Sequence, residues 1–382
     1  MSDRYTLLGE KPYAFVPPVE ERERKQAHTH ERYQDNHYSG KTVVEFTALT
    51  PVAVSAGSYK FVDGKYVQDA ISRAGKPVLP GSSVKGVVRA VAEAVSASCF
   101  SVTKGINEKL LEKALPANNN RRGCNDYRTA CPACSLFGLA GKESLKSRVE
   151  FGEFTAVGDV KLELRQLPQL ERPFKDYPQK KSGGQKGQYL QDLARLLGGR
   201  EERNLSNYGN ERLYYCRLCS SDSNCLTCTK DDFWRIYNRL DNPQKRELRF
   251  RGRKFYFHGQ EPLQFRTNYH YRAYAPAGTR FQGEVFFRNL TREEYGLLLY
   301  ALGAGGEFCL KIGYGKPLFY GSVATKIVHV EKYCLSAELP DVKTAIQAYK
   351  DSTPSLERQR QELEKILSWE RPLGKPRSSP NY

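Results

Sequence analysis

The 382-residue sequence contains no apolar run approaching the roughly 20 residues needed to span a bilayer. Met1 to Lys11 lacks the apolar core of an export signal, so the expected location is cytoplasmic. No amphipathic anchor helix stands out, which makes an anionic membrane a poor candidate partner. Nucleophilic catalysis lacks its signature too, because no triad is visible. The six His, at 28, 30, 37, 258, 270 and 329, match no metalloprotease spacing. Acidic residues are in deficit, 43 Asp and Glu against 60 Lys and Arg, for a net charge of +17. Such a surplus favours a polyanion, with nucleic acid first, over an inert basic surface.

What is present argues for a folded chain of two or three domains, with 39% hydrophobic and 27% charged residues. Ten cysteines are unusual for a chain with no export signal, and eight of them fall at positions 99–134 or 216–228. In a reducing compartment that grouping points to zinc rather than disulfides.

Residues 1–40 read as a polar N-terminal arm, with His28 and His30 solvated. Thr42 to Leu49 is rich in β-branched residues and predicts a strand. Gly57 to Gly75 reads as a loop. Pro80-Gly81-Ser82-Ser83 then opens a helix whose Val84, Val87, Val88, Val91, Ala92 and Val95 share one face, with Ser82 or Ser83 available as a cap. Arg148 to Phe151 predicts a second strand, and Arg280 to Phe287 a third. Thr291 to Glu294 spells a capping box before a helix ending at Gly303, and Leu318 to Val323 predicts a last strand. A helical tail is expected from Asp341 to Trp369. The segment 165–260 interrupts this pattern.

The order strand, helix, strand, interruption, strand, helix, strand predicts an α+β fold. The expected core is an RRM-like, ferredoxin-like palm whose antiparallel sheet leaves one face free for RNA, with a zinc-binding insertion added. The expected divisions are an arm at 1–40, a first palm half at 41–164, a basic insertion at 165–260, a second palm half at 261–335 and a helical tail at 336–382.

Cys216-Arg217-Leu218-Cys219 and Cys225-Leu226-Thr227-Cys228 form the sharpest local signal. Each pair can offer two thiolates from one turn, and four thiolates close a structural zinc site. The alternatives are two disulfides or four idle thiols. Cys124, Cys131 and Cys134 form a second set without an obvious fourth ligand. Cys99 is one candidate, and solvent or a distant His is another. The alternative reading makes Cys99 and Cys134 ordinary core residues.

The insertion concentrates charge, with 20 Lys and Arg against 11 Asp and Glu between Arg165 and Gln260. Its end, Lys245 to Lys254, interleaves six cations with Phe250 and leads into Phe255-Tyr256-Phe257. Arg251, Arg253 and Lys254 can neutralise phosphates while aromatics stack on bases. A strand with a solvated basic edge explains the run equally well. Gly313-Tyr314-Gly315-Lys316 can cradle a phosphate with backbone amides, although glycine runs are more often plain turns.

Several of these stretches together resemble the RAMP superfamily, in particular the insertion-bearing backbone subunits of type III CRISPR RNA-guided effector complexes. Pro80 to Arg89 resembles the family's signature loop and helix. Cys131 to Gly138 followed by Arg148 to Phe151 resembles its cysteine-plus-strand block. Pro276 to Phe281 resembles the opening of its second half, and Ile312 to Lys316 its C-terminal glycine loop. Tyr13 to Pro17 and Arg251 to Tyr256 resemble marks of the insertion-bearing subgroup.

The resemblance implies that Ser82, Ser83, Lys85 and Arg89 contact a guide backbone, with Gly313, Gly315 and Lys316 beside it. It implies CRISPR RNA, target RNA, other RAMP subunits and a large subunit as partners. Catalytic relatives cleave target RNA with an aspartate between the first strand and the signature helix. Here that loop holds Asp63 and Asp69, with Asp69 nearer the expected place. Asp69 would hold magnesium, manganese or a water while a 2′-hydroxyl attacks the adjacent phosphate. The rival reading, from another class, is a zinc-ribbon protein that binds duplex DNA. It accounts for charge and cysteines but supplies no recognition helix.

Overall fold

The computed structural model describes residues 12–19, 23–100, 123–168, 252–259, 269–333 and 337–372. Cys216, Cys219, Cys225, Cys228 and Arg251 lie outside the described residues.

The main sheet is built on β2 (Tyr38–Ala48), which pairs antiparallel with β12 (Arg280–Leu290) on one side and β14 (Ser322–Lys332) on the other. β12 continues to β7 (Val149–Phe151) and β8 (Phe154–Ala156), again antiparallel. The central order is therefore β14-β2-β12-β8, extended by β6 (Lys76–Leu79) and β5 (Ser72–Arg73) beyond β8 and by β13 (Leu310–Lys311) beyond β14. Alternation places Val44, Phe46, Phe281, Val285 and Phe287 on the covered face, all essentially buried.

Helix α1 (Gly81–Val95) follows the first arm of this sheet and α3 (Arg292–Ala301) follows β12. Val84, Val88, Val91 and Val95 of α1 are fully buried, as the helical spacing predicts. Its N-terminus has no side-chain cap. Pro80 occupies the cap position, and the amides of Ser83 and Val84 donate to the Pro80 carbonyl at 2.9 and 3.1 Å. Ser82 and Ser83 are thus left inside the first turn rather than capping it. Gly81 is demanded by packing, because a Cβ there would sit 2.0 Å from the Phe151 carbonyl oxygen. The capping box at α3 forms: the Glu294 amide donates to Thr291 Oγ1 at 3.2 Å, and the Thr291 amide donates to Glu294 at 3.1 Å. Glu294 also receives the fully buried Arg148, which ties β7 to α3.

Gly57 to Gly75 is not a loop. It forms β3 (Ser55–Val62) and β4 (Lys65–Ala70), an antiparallel hairpin turning at Asp63-Gly64, where both residues take positive φ. This hairpin enters a four-stranded sheet ordered β3-β4-β11-β9, with β9 (Glu163–Pro168) and β11 (Tyr269–Tyr274) flanking the insertion. β4 and β11 run parallel, and β11 and β9 run antiparallel.

Described segments near both ends of the chain join the body. β1 (Tyr13–Val16) pairs antiparallel with β10 (Arg253–Tyr256), so the arm meets the strand that leaves the insertion. The C-terminal tail is two helices, α4 (Val342–Ser352) and α5 (Glu357–Ile366), broken at Thr353-Pro354. α4 lies so close on α3 that a Cβ at Gly296 would be 2.1 Å from the Ala345 carbonyl oxygen. Among the described residues no helix is long and apolar enough to cross a membrane.

Candidate metal centre and nucleic-acid groove

Cys131 begins the short helix α2 (Pro132–Phe137), and Cys134 sits one turn along it, so the Cys-x-x-Cys spacing turns both thiols to one side. Cys99, just beyond α1, and Cys124 complete the set. The four sulfurs lie within 4.8 Å of one another. Cys99 Sγ is 3.7 Å from Cys134 Sγ, 3.8 Å from Cys124 Sγ and 3.6 Å from Cys131 Sγ. A disulfide needs about 2.05 Å between sulfurs, so these are four separate thiols. Thiolates at about 2.3 Å around a tetrahedral ion stand about 3.8 Å apart, which is the spacing seen. The residues therefore fit a metal such as zinc, with Cys99 as the fourth ligand. Four sulfurs leave no open position, so such a metal is structural.

The surroundings suit a cluster carrying negative charge. The Arg89 guanidinium donates to Cys134 Sγ at 3.5 Å, to the Gly138 carbonyl at 3.1 Å and to Glu93 at 2.8 Å. Glu93 is buried and bridges Arg89 to Arg253 of β10. Arg253 also donates to the carbonyls of Glu93 and Cys99, at 3.1 and 2.6 Å, and packs 4.5 Å from the Phe100 ring centroid. Arg89 and Arg253, two of the cations expected on RNA, thus turn inward toward the cysteine centre. Charge counting cannot reveal which way a guanidinium points.

A second feature is a groove of about 580 Å³ beside the N-terminus of α1. Ser82 and Ser83 form one wall, Lys254 and Tyr256 of β10 another, and Gly313, Tyr314 and Lys316 a third. Residues predicted from three distant parts of the chain meet here. The positive end of the α1 dipole adds to the lysines. Lys254 holds its ammonium 3.6 Å from the Tyr13 ring centroid. Gly313 takes φ +85° against the β2–β3 connection, where a Cβ would be 2.2 Å from the Ala53 carbonyl oxygen. Gly315 turns the chain into the short 3-10 segment Lys316–Leu318. Burial pushes the Lys316 ammonium below its usual range. It pushes Lys311 much further, with the Lys316 charge adding to the effect. Lys85, half-buried on α1, is lowered by burial and then by Arg89. Lys311 and Lys316 line the groove, whereas Lys85 is not among its lining residues.

The opposite face of the main sheet looks different. Lys41 lies 3.2 Å from Glu284 and 3.3 Å from Glu331, and Gln282 donates to Glu45 at 3.0 Å. Cations there are matched by carboxylates.

Asp69 stands on β4, not in a loop. One carboxylate oxygen is 2.5 Å from Lys60 Nζ across the hairpin, and the other accepts from the Ala70 amide at 3.0 Å. Among the described residues the cysteine set is the only group of three or more possible metal ligands, and Asp69 is not part of it. Asp63 is the hairpin turn residue.

No curated protein matches the chain. A family model does, over residues 45–324, a span from β2 through the groove's glycine loop into β14. That span covers most of the chain, includes α1 and the Cys99 cluster, and carries a family associated with CRISPR-related RNA binding: the protein belongs to the RAMP superfamily.

Proposed function

We propose that this chain is an RNA-binding backbone subunit of a type III CRISPR interference complex, working in antiviral defence in the cytoplasm. The β14-β2-β12-β8 sheet with α1 and α3 is read as its RRM-like palm. CRISPR RNA lies along the groove, target RNA pairs with it, and other RAMP subunits and a large subunit are neighbours. One observation carries the reading: Ser82, Ser83, Lys254, Gly313 and Lys316 converge on a single groove at a helix N-terminus. Backbone contacts of this kind fix register without reading sequence, as a subunit that must accept any guide requires. Zinc in the Cys99 cluster, and a second zinc on Cys216, Cys219, Cys225 and Cys228, serve as structural staples. RNA recovered from the natively purified complex tests the reading. The expected RNA contains CRISPR repeat sequence, and random cellular RNA overturns it.

The finer proposal is cleavage of target RNA at Asp69, with magnesium or manganese. The hairpin carrying Asp69 joins the first core strand to the signature helix, which is the family's place for that aspartate. Because Lys60 occupies the carboxylate, a cation would have to replace it and take its remaining ligands from RNA phosphates and water.

A further inference from the structure

Arg272, at the centre of the four-stranded sheet, is 2% exposed, yet its Nε and Nη1 have no hydrogen-bond partner. Nη2 donates to Gln68 Oε1, and the guanidinium carbon lies 3.6 Å from the Tyr314 ring centroid. Among the described residues no carboxylate pairs with it. Its cross-strand neighbours on β4 and β9 are Gln68 and Arg165, so a second guanidinium stands directly opposite. Arg165 spends its charge on Glu163, at 2.6 Å. Like charges facing across a ladder destabilise it, and a buried cation with unmet donors is costly unless a counter-charge arrives.

Tyr314 is 38% exposed and lines the RNA groove. Gln68 in turn donates at 2.8 Å to Ser55, another groove-lining residue. Arg272 therefore sits directly behind the groove wall. His270, two residues along the same strand and so on the same face, meets the edge of Tyr314 with ring centroids 6.2 Å apart. Burial and the Arg272 charge both hold its imidazole below the usual range, so it adds no competing cation.

We propose that Arg272 forms a phosphate subsite of the groove, with Tyr314 as its movable cover: one backbone phosphate of an RNA strand takes the two unmet N–H donors when the Tyr314 ring swings aside. The freed ring then offers its face to the adjoining base. This inference rests on the groove being an RNA site. A planar guanidinium suits a phosphate because it presents parallel donors to two oxygens.

The test compares Arg272→Met, Arg272→Lys and the double variant Lys254→Ala/Lys316→Ala in the full-length chain. The readouts are thermal melting and affinity for a uridine-only single-stranded RNA across a salt series. Arg272→Met should melt no lower than the parent, because it removes an uncompensated buried charge. It should bind RNA roughly tenfold more weakly, as expected for losing charge-assisted contacts, and its salt slope should fall by about 0.7. Arg272→Lys should recover only part of the affinity. Inorganic phosphate should compete with RNA for the parent more effectively than for Arg272→Met. A large fall in melting temperature for Arg272→Met overturns the inference, since the side chain would then be a structural strut. Unchanged affinity and slope for Arg272→Met, with a loss in the double variant, overturns the subsite and leaves the groove reading standing. No loss in any variant overturns both.

Discussion

Arg253 and Glu93, 160 residues apart in sequence, form a 2.5 Å ion pair that joins the cysteine centre to the groove. Glu93 grips the strand that leaves the insertion, and the next residue of that strand, Lys254, lines the groove. Glu93→Ala should leave Arg89 and Arg253 as unpaired, largely buried cations, at a cost of about 3–5 kcal/mol. Chemical denaturation read by tryptophan fluorescence gives that value. A change below about 1 kcal/mol would show that the bridge does not hold β10 in place.

The metal assignment yields a stoichiometry. Metal analysis of the parent should find zinc, and Cys99→Ser should reduce it by one equivalent per chain while the 216–228 set keeps its own. Cys219→Ser should remove the other equivalent and leave the main sheet and its helices folded. An unchanged zinc content in Cys99→Ser would show that the three remaining thiols, or another group, hold the ion.

His258 offers a pH signature. It is fully buried, with Nδ1 2.9 Å from Ser322 Oγ and Nε2 3.0 Å from the Cys309 carbonyl oxygen. Burial, reinforced by the Lys311 charge, pushes its pKa down to about 3. The unfolded chain binds this proton near pH 6.5 and the folded chain does not, so stability falls as pH drops below about 6.5. The expected slope is about 1.4 kcal/mol per pH unit until the folded pKa is reached. Denaturation at pH 7, 6, 5 and 4 should show it, and His258→Gln should flatten it. An equal slope in the variant would assign the effect to other groups.

Catalysis is tested with the assembled complex, magnesium or manganese and a labelled target RNA. If the Asp69 proposal holds, Asp69→Asn removes one cut and leaves assembly unchanged. Lys60→Met, which frees the carboxylate, preserves that cut. A complete ladder from Asp69→Asn makes the residue a partner of Lys60 and nothing more.

Much of the core was legible in the sequence. The valines of α1 repeat at helical spacing, Thr291 and Glu294 spell their own cap, and Cys131-x-x-Cys134 marks a thiol cluster that could hold a metal. The β3–β4 hairpin escaped because β3 is exposed along nearly its whole length, leaving no alternation to read. The Asp63-Gly64 turn was the available signal. Cys99 stayed one candidate among several because the fourth ligand came from outside any Cys-x-x-Cys pair. Arg272 carried no local signal, since its lack of a partner exists only once three strands are paired around it.

If the groove beside α1 holds a single RNA strand by its backbone, binding is indifferent to base sequence. The deciding measurement is the affinity of the purified chain for single-stranded RNAs of unrelated sequence and for duplex DNA, with the parent and Lys254→Ala/Lys316→Ala. The account predicts similar affinity for all the RNAs, weaker binding of duplex DNA, and a uniform loss in the variant with a salt slope reduced by about 0.7 per lost contact. Tighter binding of duplex DNA, or RNA affinity untouched in the variant, would contradict it.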